Sequence, residues 1–148
     1  MNSSPRKTPA TYDDANLLLR LYELRREDRM RAARAWFASK YHAANLEEAM
    51  TLGPPGSEEN ASFRMVTSYW DMVASYITAG VLNADLFFES NRELLLVWIR
   101  IKPIIPEIRA AFGDPCYLHS LEEVGENYAI WLNSRAPGSF EAFAKRMG

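Results

Sequence analysis

Apolar residues near the middle of the chain recur at the spacing of a helix face. One set falls every three or four positions, the period of one side of an α-helix, and consists of Phe63, Val66, Trp70, Val73 and Ile77. A second apolar set lies beside the first and consists of Met65, Tyr69, Met72 and Tyr76. Because only a narrow polar strip remains, this helix should contact neighbours around most of its circumference. We predict a central helix over residues 57–79.

Capping residues divide the rest of the chain into further helices. The side chains predicted to cap helix starts are those of Thr11, Asn45, Ser57, Asn83, Ser90 and Ser120. Ser90 and Ser120 are each followed three residues later by glutamate, which predicts two capping boxes. Gly80 occupies the position of a left-handed helix terminus. Pro103 and Pro106 predict a break in the helix that follows Ser90.

The segment from residue 17 to residue 41 contains arginines that one straight helix does not accommodate. Arg25, Arg26 and Arg29 would share a side with Leu19 and Trp36, and burying three unpaired guanidinium groups is costly. Either the helix breaks near residues 26–28, or carboxylates from another segment pair with the arginines. We favour the break, which gives an αα-hairpin.

Composition indicates one globular domain. The chain has 148 residues, of which 48% are hydrophobic and 24% charged, with a formal net charge of −2. That length is typical of a single domain with its own core. We therefore predict a disordered lead over residues 1–10 and one all-α domain of six to eight helices over residues 11–148.

A resemblance supports the helical fold. Residues 69–89, YWDMVASYITAGVLNADLFFE, form an aromatic and acidic helix that ends at glycine, after which an asparagine restarts the chain. This segment resembles bacterial all-helical families of unknown function. The resemblance implies a fold and no active site.

Residues typical of catalysis or metal binding are few. His42 and His119 are the two histidines and Cys116 is the one cysteine, without the spacing of a metal site or a phosphate loop. Asp114, Cys116 and His119 are close in sequence, but we interpret Cys116 as a buried structural thiol. No metal, no cofactor and no enzymatic activity are predicted.

Aromatic residues on the predicted helices suggest one candidate site. The four tryptophans, Trp36, Trp70, Trp98 and Trp131, fit a core better than a ligand site. The alternative is a small apolar pocket between helices. Its candidate residues are Tyr69, Trp70 and Asp71.

The function favoured by these observations is a non-enzymatic interaction or regulatory module in a bacterial cytoplasm, with a protein partner or a second copy as its target. One alternative is nucleic-acid binding through Arg25, Arg26 and Arg29, although acidic residues are interleaved with them. The other alternative is binding of a small apolar ligand in the aromatic pocket. No apolar run approaches the roughly 20 residues of a membrane span.

Overall fold

The computed structural model describes residues 8–148 and contains α-helices joined by short turns. The first four are α1 (Tyr12–Leu24), α2 (Asp28–Lys40), α3 (Leu46–Leu52) and α4 (Glu58–Thr78). The others are α5 (Ala84–Phe88), α6 (Arg92–Ile101), α7 (Ile105–Phe112), α8 (His119–Arg135) and α9 (Ser139–Met147), with a 3₁₀ turn, Lys102–Ile104, between α6 and α7. The described residues contain no strand. The prediction of an all-α domain is confirmed.

The predicted lead lies mostly outside the described residues. Residues 8–10 have no regular secondary structure. The carbonyl of Thr8 accepts a hydrogen bond of 3.0 Å from Nδ2 of Asn83. The prediction for residues 1–7 falls outside the part of the chain that the structure describes.

Helix α4 is the centre of the domain, as its two apolar faces predict. It packs against α2 on one side and α8 on the other. Val66, Trp70, Val73 and Ala74 are buried in these contacts. The Ser57 hydroxyl accepts a hydrogen bond from the Asn60 amide at the helix start. At the other end Gly80 is left-handed, with φ of +78°.

The arginine-rich segment forms a helical hairpin. Helix α1 ends at Leu24 and α2 begins at Asp28, so the predicted break is confirmed. Glu27 caps α2 by accepting hydrogen bonds from the amides of Arg29 and Met30, both at 3.1 Å. The hairpin therefore begins its second helix with a glutamate cap, which sequence reasoning did not single out.

The two predicted capping boxes at Ser90 and Ser120 are wrong. Helix α6 begins after Asn91, with no side-chain cap, because the Glu93 carboxylate instead binds arginine side chains of the hairpin. Helix α8 begins after Leu118, a buried residue whose φ of 57° is left-handed. Burial of Leu118 sets the start of α8 two residues earlier than a cap at Ser120 would.

The proline-rich segment turns the chain between α6 and α7. Pro103 lies in the 3₁₀ turn and Pro106 lies in the first turn of α7, where its missing amide donor is not needed. The predicted break is therefore confirmed. None of the helices in residues 8–148 combines the length and apolarity that crossing a bilayer requires.

Candidate functional site

A cavity of about 500 Å³ lies between α3, α4 and α7. Its volume is within the usual range of small-molecule sites. Four elements of the chain and the loops between them supply its walls. The lining residues include Trp36, Tyr41, Leu46, Ala49, Met50, Phe63, Arg64, Ile108, Phe112 and Tyr117. Apolar side chains therefore cover most of the cavity wall.

The short helix α3 forms one wall of the cavity, with apolar residues that pack at the edge of the core rather than inside it. None of its seven residues is buried. Leu46, Ala49 and Met50 instead face the cavity. At the opposite wall, Phe112 ends α7 and remains 62% exposed. An apolar helix face and an exposed aromatic ring thus line the same cavity.

Aromatic rings make the inner wall rigid. Tyr41 stacks on Phe37, with ring centroids 4.9 Å apart, and packs against Phe63 at 5.1 Å. Trp36 contacts the same tyrosine at 5.9 Å. Tyr41 and Phe37 are almost completely buried. Since offset and tilted ring pairs are stabilising, this wall is preformed rather than dependent on a ligand.

Two polar groups stand out among the lining residues. The Tyr41 hydroxyl is buried and has no hydrogen-bond partner in residues 8–148, and burial raises the pKa of Tyr41. Arg64, on α4, is exposed. Its guanidinium makes no hydrogen bond or ion pair with the described residues. A buried polar group without a partner is unusual in a native structure. Here the buried hydroxyl and the exposed guanidinium belong to residues of the same cavity.

The predicted pocket residues lie elsewhere and do not converge on this cavity. The Tyr69 hydroxyl donates a 2.6 Å hydrogen bond to the Leu21 carbonyl, and burial raises the pKa of Tyr69 to about 12. Trp70 is 1% exposed within the core. Asp71 accepts a hydrogen bond of 3.0 Å from the Leu121 amide at the start of α8. These three residues thus hold helices together.

The candidate arginines have different environments. Arg25 lies 3.6 Å from a carboxylate oxygen of Glu93, and its side chain is 13% exposed. Arg26 is exposed and contacts the Tyr22 ring, 5.4 Å from its centroid, while Arg29 is exposed. Glu93 lies on α6, so the carboxylate that pairs with Arg25 comes from another segment of the chain.

Asp114, Cys116 and His119, which are close in sequence, lie at the surface. The carboxylate of Asp114 accepts a hydrogen bond from the backbone amide of Cys116 at 3.1 Å. Asp114, Cys116 and His119 are all exposed, so the interpretation of Cys116 as a buried thiol is wrong. A proline turn places it at the surface ahead of α8. Within residues 8–148, no three His, Cys, Asp or Glu side chains are grouped closely enough to hold a metal ion.

Comparison with protein families gives a match over most of the chain. A family model described as a domain of unknown function, DUF4760, matches residues 10–128. The chain belongs to this family. The resemblance to a helical domain of unknown function is therefore confirmed. No curated protein and no solved structure matches this DUF4760 domain.

Sequence reasoning missed the cavity of this DUF4760 domain because its residues come from distant segments. One signal was present: Leu46, Ala49 and Met50 fall on one side of a short helix. That pattern identifies an apolar face and does not reveal what the face meets. The position of Arg64 beside this face depends on how α3 packs over α4.

Proposed function

We propose that this DUF4760 domain is a non-enzymatic module that binds a small, largely apolar molecule in the cavity between α3, α4 and α7. The observation that carries the proposal is the cavity of about 500 Å³ with its mostly apolar wall. Concave apolar sites with a few polar groups are the usual form of ligand sites. Helical domains commonly place such sites between helices.

The weak packing of α3 supports this function. A helix without a buried residue contributes little to the core, so its displacement has a low cost in free energy. A ligand that contacts Leu46, Ala49 and Met50 would cover apolar surface on α3. Such a ligand stabilises the folded state in proportion to its occupancy. Occupancy of the site is thus suited to a regulatory response.

A non-enzymatic role in a bacterial cytoplasm forms part of the proposal. The exposed Asp114, Cys116 and His119 offer no enclosed reaction site. Cys116, the one cysteine of the chain, is a free and exposed thiol, which suits a reducing compartment. Contact with a protein partner or a second copy stays a prediction; α1 exposes Tyr12 and Leu19 for such a contact.

The test uses the uncharged fluorescent probe N-phenyl-1-naphthylamine, whose emission rises in apolar surroundings. We expect saturable binding at one site of the full chain. Ala111→Trp places a large ring in the cavity wall, whereas Ala110→Trp makes the same change one residue away, outside the lining. Binding should be lost in Ala111→Trp and kept in Ala110→Trp.

Folding controls keep this test decisive. Both alanines are exposed on α7, so both variants should retain the wild-type thermal midpoint. Ala49→Leu, which fills the cavity from α3, serves as a second blocking variant and should also lose the probe. Absence of saturable binding in the wild type, or equal binding in all folded variants, would overturn the proposed site.

A further inference from the structure

The charge of the cavity is carried by one residue. Among the residues of the described chain that line it, Arg64 is the only one with a charged side chain. The remaining lining residues are apolar or uncharged. A ligand that enters this cavity therefore meets a single positive charge and no negative charge in the wall.

Arg64 is available to a ligand. Its side chain forms no hydrogen bond or ion pair with other described residues, whereas Arg34 and Arg109 bind the carboxylates of Glu93 and Glu122. Arg64 also borders a neighbouring depression that contains Asp71 and Asp114. These two carboxylates accept hydrogen bonds from the backbone amides of Leu121 and Cys116. The guanidinium thus keeps its hydrogen-bond donors for another acceptor.

Tyr117 interacts electrostatically with both Tyr41 and Arg64. Burial, and to a smaller extent the nearby Tyr117, raises the pKa of Tyr41. Burial also raises the pKa of Tyr117, as do the charges of Asp71 and Asp114, whereas a hydrogen bond with Thr67 and the charge of Arg64 oppose that rise. Tyr41, Tyr117 and Arg64 all line the cavity. The Tyr41 hydroxyl has no hydrogen-bond partner in the described chain. Arg64 therefore supplies the positive charge of the wall, next to aromatic residues whose hydroxyls are uncharged.

The residues that α3 and α7 contribute to the cavity are apolar. Leu46, Met50, Ile108 and Phe112 come from α3 and α7 and carry no hydrogen-bonding side-chain group apart from a thioether sulfur. Met50 and Phe112 are 45% and 62% exposed, so a bound chain would cover apolar surface that now faces solvent. Burial of that surface favours binding.

We propose that the ligand is an anionic amphiphile, of the class of medium-chain carboxylates, whose head group binds Arg64 and whose alkyl chain lies between α3 and α7. An arginine forms charge-assisted, bidentate hydrogen bonds with a carboxylate. The neutral, mostly apolar remainder of the wall suits the alkyl chain. The inference rests on the proposed function and specifies the chemistry of its ligand.

The experiment compares decanoate with decanol, which have the same chain length and differ in the charge of the head group. Each is titrated, below its aggregation concentration, against the full chain loaded with N-phenyl-1-naphthylamine. We expect decanoate to displace the probe at about one-tenth of the decanol concentration, as one charge-assisted interaction would give. Arg64→Gln should remove this preference and leave displacement by decanol unchanged.

A matched arginine variant distinguishes a local contact between the ligand and Arg64 from a general effect of the protein's net charge. Arg20 is exposed on α1, away from the cavity, so Arg20→Gln should keep the preference for decanoate. Equal displacement by the two compounds in the wild type would overturn the anionic ligand and leave the apolar site intact. A loss of preference in Arg20→Gln as large as in Arg64→Gln would also overturn it. Failure of the probe itself to bind would instead overturn the proposed function.

Discussion

Nε of Arg34 donates a bifurcated hydrogen bond to both carboxylate oxygens of Glu93, at 3.0 and 2.9 Å, and thereby joins α2 to α6. Arg34 also donates from Nη1 to the Arg25 carbonyl at 3.0 Å, at the C-terminal end of α1. Arg25 adds a charge contact of 3.6 Å to the same glutamate. One carboxylate therefore fixes both helices of the hairpin against α6.

Replacing that carboxylate should destabilise the domain. Glu93→Gln leaves two poorly hydrated guanidinium groups without their anion, since the side chains of Arg25 and Arg34 are only 13% and 23% exposed. We expect a loss of about 2 kcal/mol in the free energy of unfolding, measured by urea denaturation. Glu89→Gln is the control, because the Glu89–Arg135 pair is 54% exposed on both sides. Equal losses in the two variants would contradict this assignment.

The loss of stability on replacing an arginine of the hairpin should depend on how deeply that arginine is buried. Arg25→Ala removes a partner of Glu93 and a cation that lies 5.6 Å from the Trp70 ring centroid, so we expect a loss of about 2 kcal/mol. Arg29→Ala changes an exposed residue and should stay within about 0.5 kcal/mol. Thermal and urea unfolding measure both. Wild-type stability of Arg25→Ala, together with salt-sensitive binding to random DNA, would favour nucleic-acid binding instead.

Arg100 is a second residue that should hold several helices together. Its Nη1 donates to the carbonyls of Phe37, Ala38 and Tyr41 at 3.0 to 3.2 Å. Its Nε donates to the Met147 carbonyl at 2.8 Å. The guanidinium thus joins the ends of α2 and α9 to α6.

Because lysine cannot reproduce this fork of donors, Arg100→Lys should destabilise the domain even though it keeps the charge. We expect a loss of about 2 kcal/mol in urea unfolding. Lys102→Ala is the control, since the exposed Lys102–Glu126 pair contributes no more than about 1 kcal/mol. Full stability of Arg100→Lys would show that charge alone matters at this position.

Gly125 marks the closest approach of α8 to α6. A Cβ atom at this position would lie 2.5 Å from the ring of Trp98, closer than any van der Waals contact. Helix propensity alone would make Gly125→Ala stabilising by about 1 kcal/mol. Overpacking should reverse the sign of this stability change. We expect a net loss of about 2 kcal/mol in the free energy of unfolding, measured by thermal unfolding. Asn127→Ala, at an exposed position of α8, should not lose stability.

Asp14 should give the domain part of its acid sensitivity. Its carboxylate accepts hydrogen bonds from the backbone amides of Thr11 and Asn83, both at 2.8 Å. The bond from Thr11, followed by the bond from Asn83, lowers the pKa of Asp14 below its ordinary value of 3.8. A lowered pKa in the folded state stabilises the fold above pH 3.8, and this stabilisation is lost as the pH falls through the folded value.

Urea unfolding at pH 6 and at pH 3 measures this dependence. In Asp14→Asn, the difference in stability between the two pH values should be smaller than in the wild type. Asp13→Asn is the matched control, because the neighbouring Asp13 is exposed. An unchanged pH dependence in Asp14→Asn would show that another carboxylate causes the acid sensitivity.

Local sequence determined the helices and several of their ends. The spacing of Val66, Trp70 and Val73 determined the inner face of α4, because helix periodicity and burial act within one segment. Gly80 ended that helix through its left-handed backbone. Ser57 and Asn83 capped helices as their side-chain chemistry predicts. Each of these features depends only on residues within about one or two helical turns.

Tertiary packing decided the features that join distant segments. Glu93 could cap its own helix or bind Arg34, and the second choice was decided by the approach of α2 to α6. The start of α8 was set by burial of Leu118 rather than by Ser120. The cavity likewise exists only where α3, α4 and α7 leave space between them. Sequence determined which residues are apolar or charged, whereas long-range packing decided which of them meet, because such contacts depend on the relative positions of whole helices.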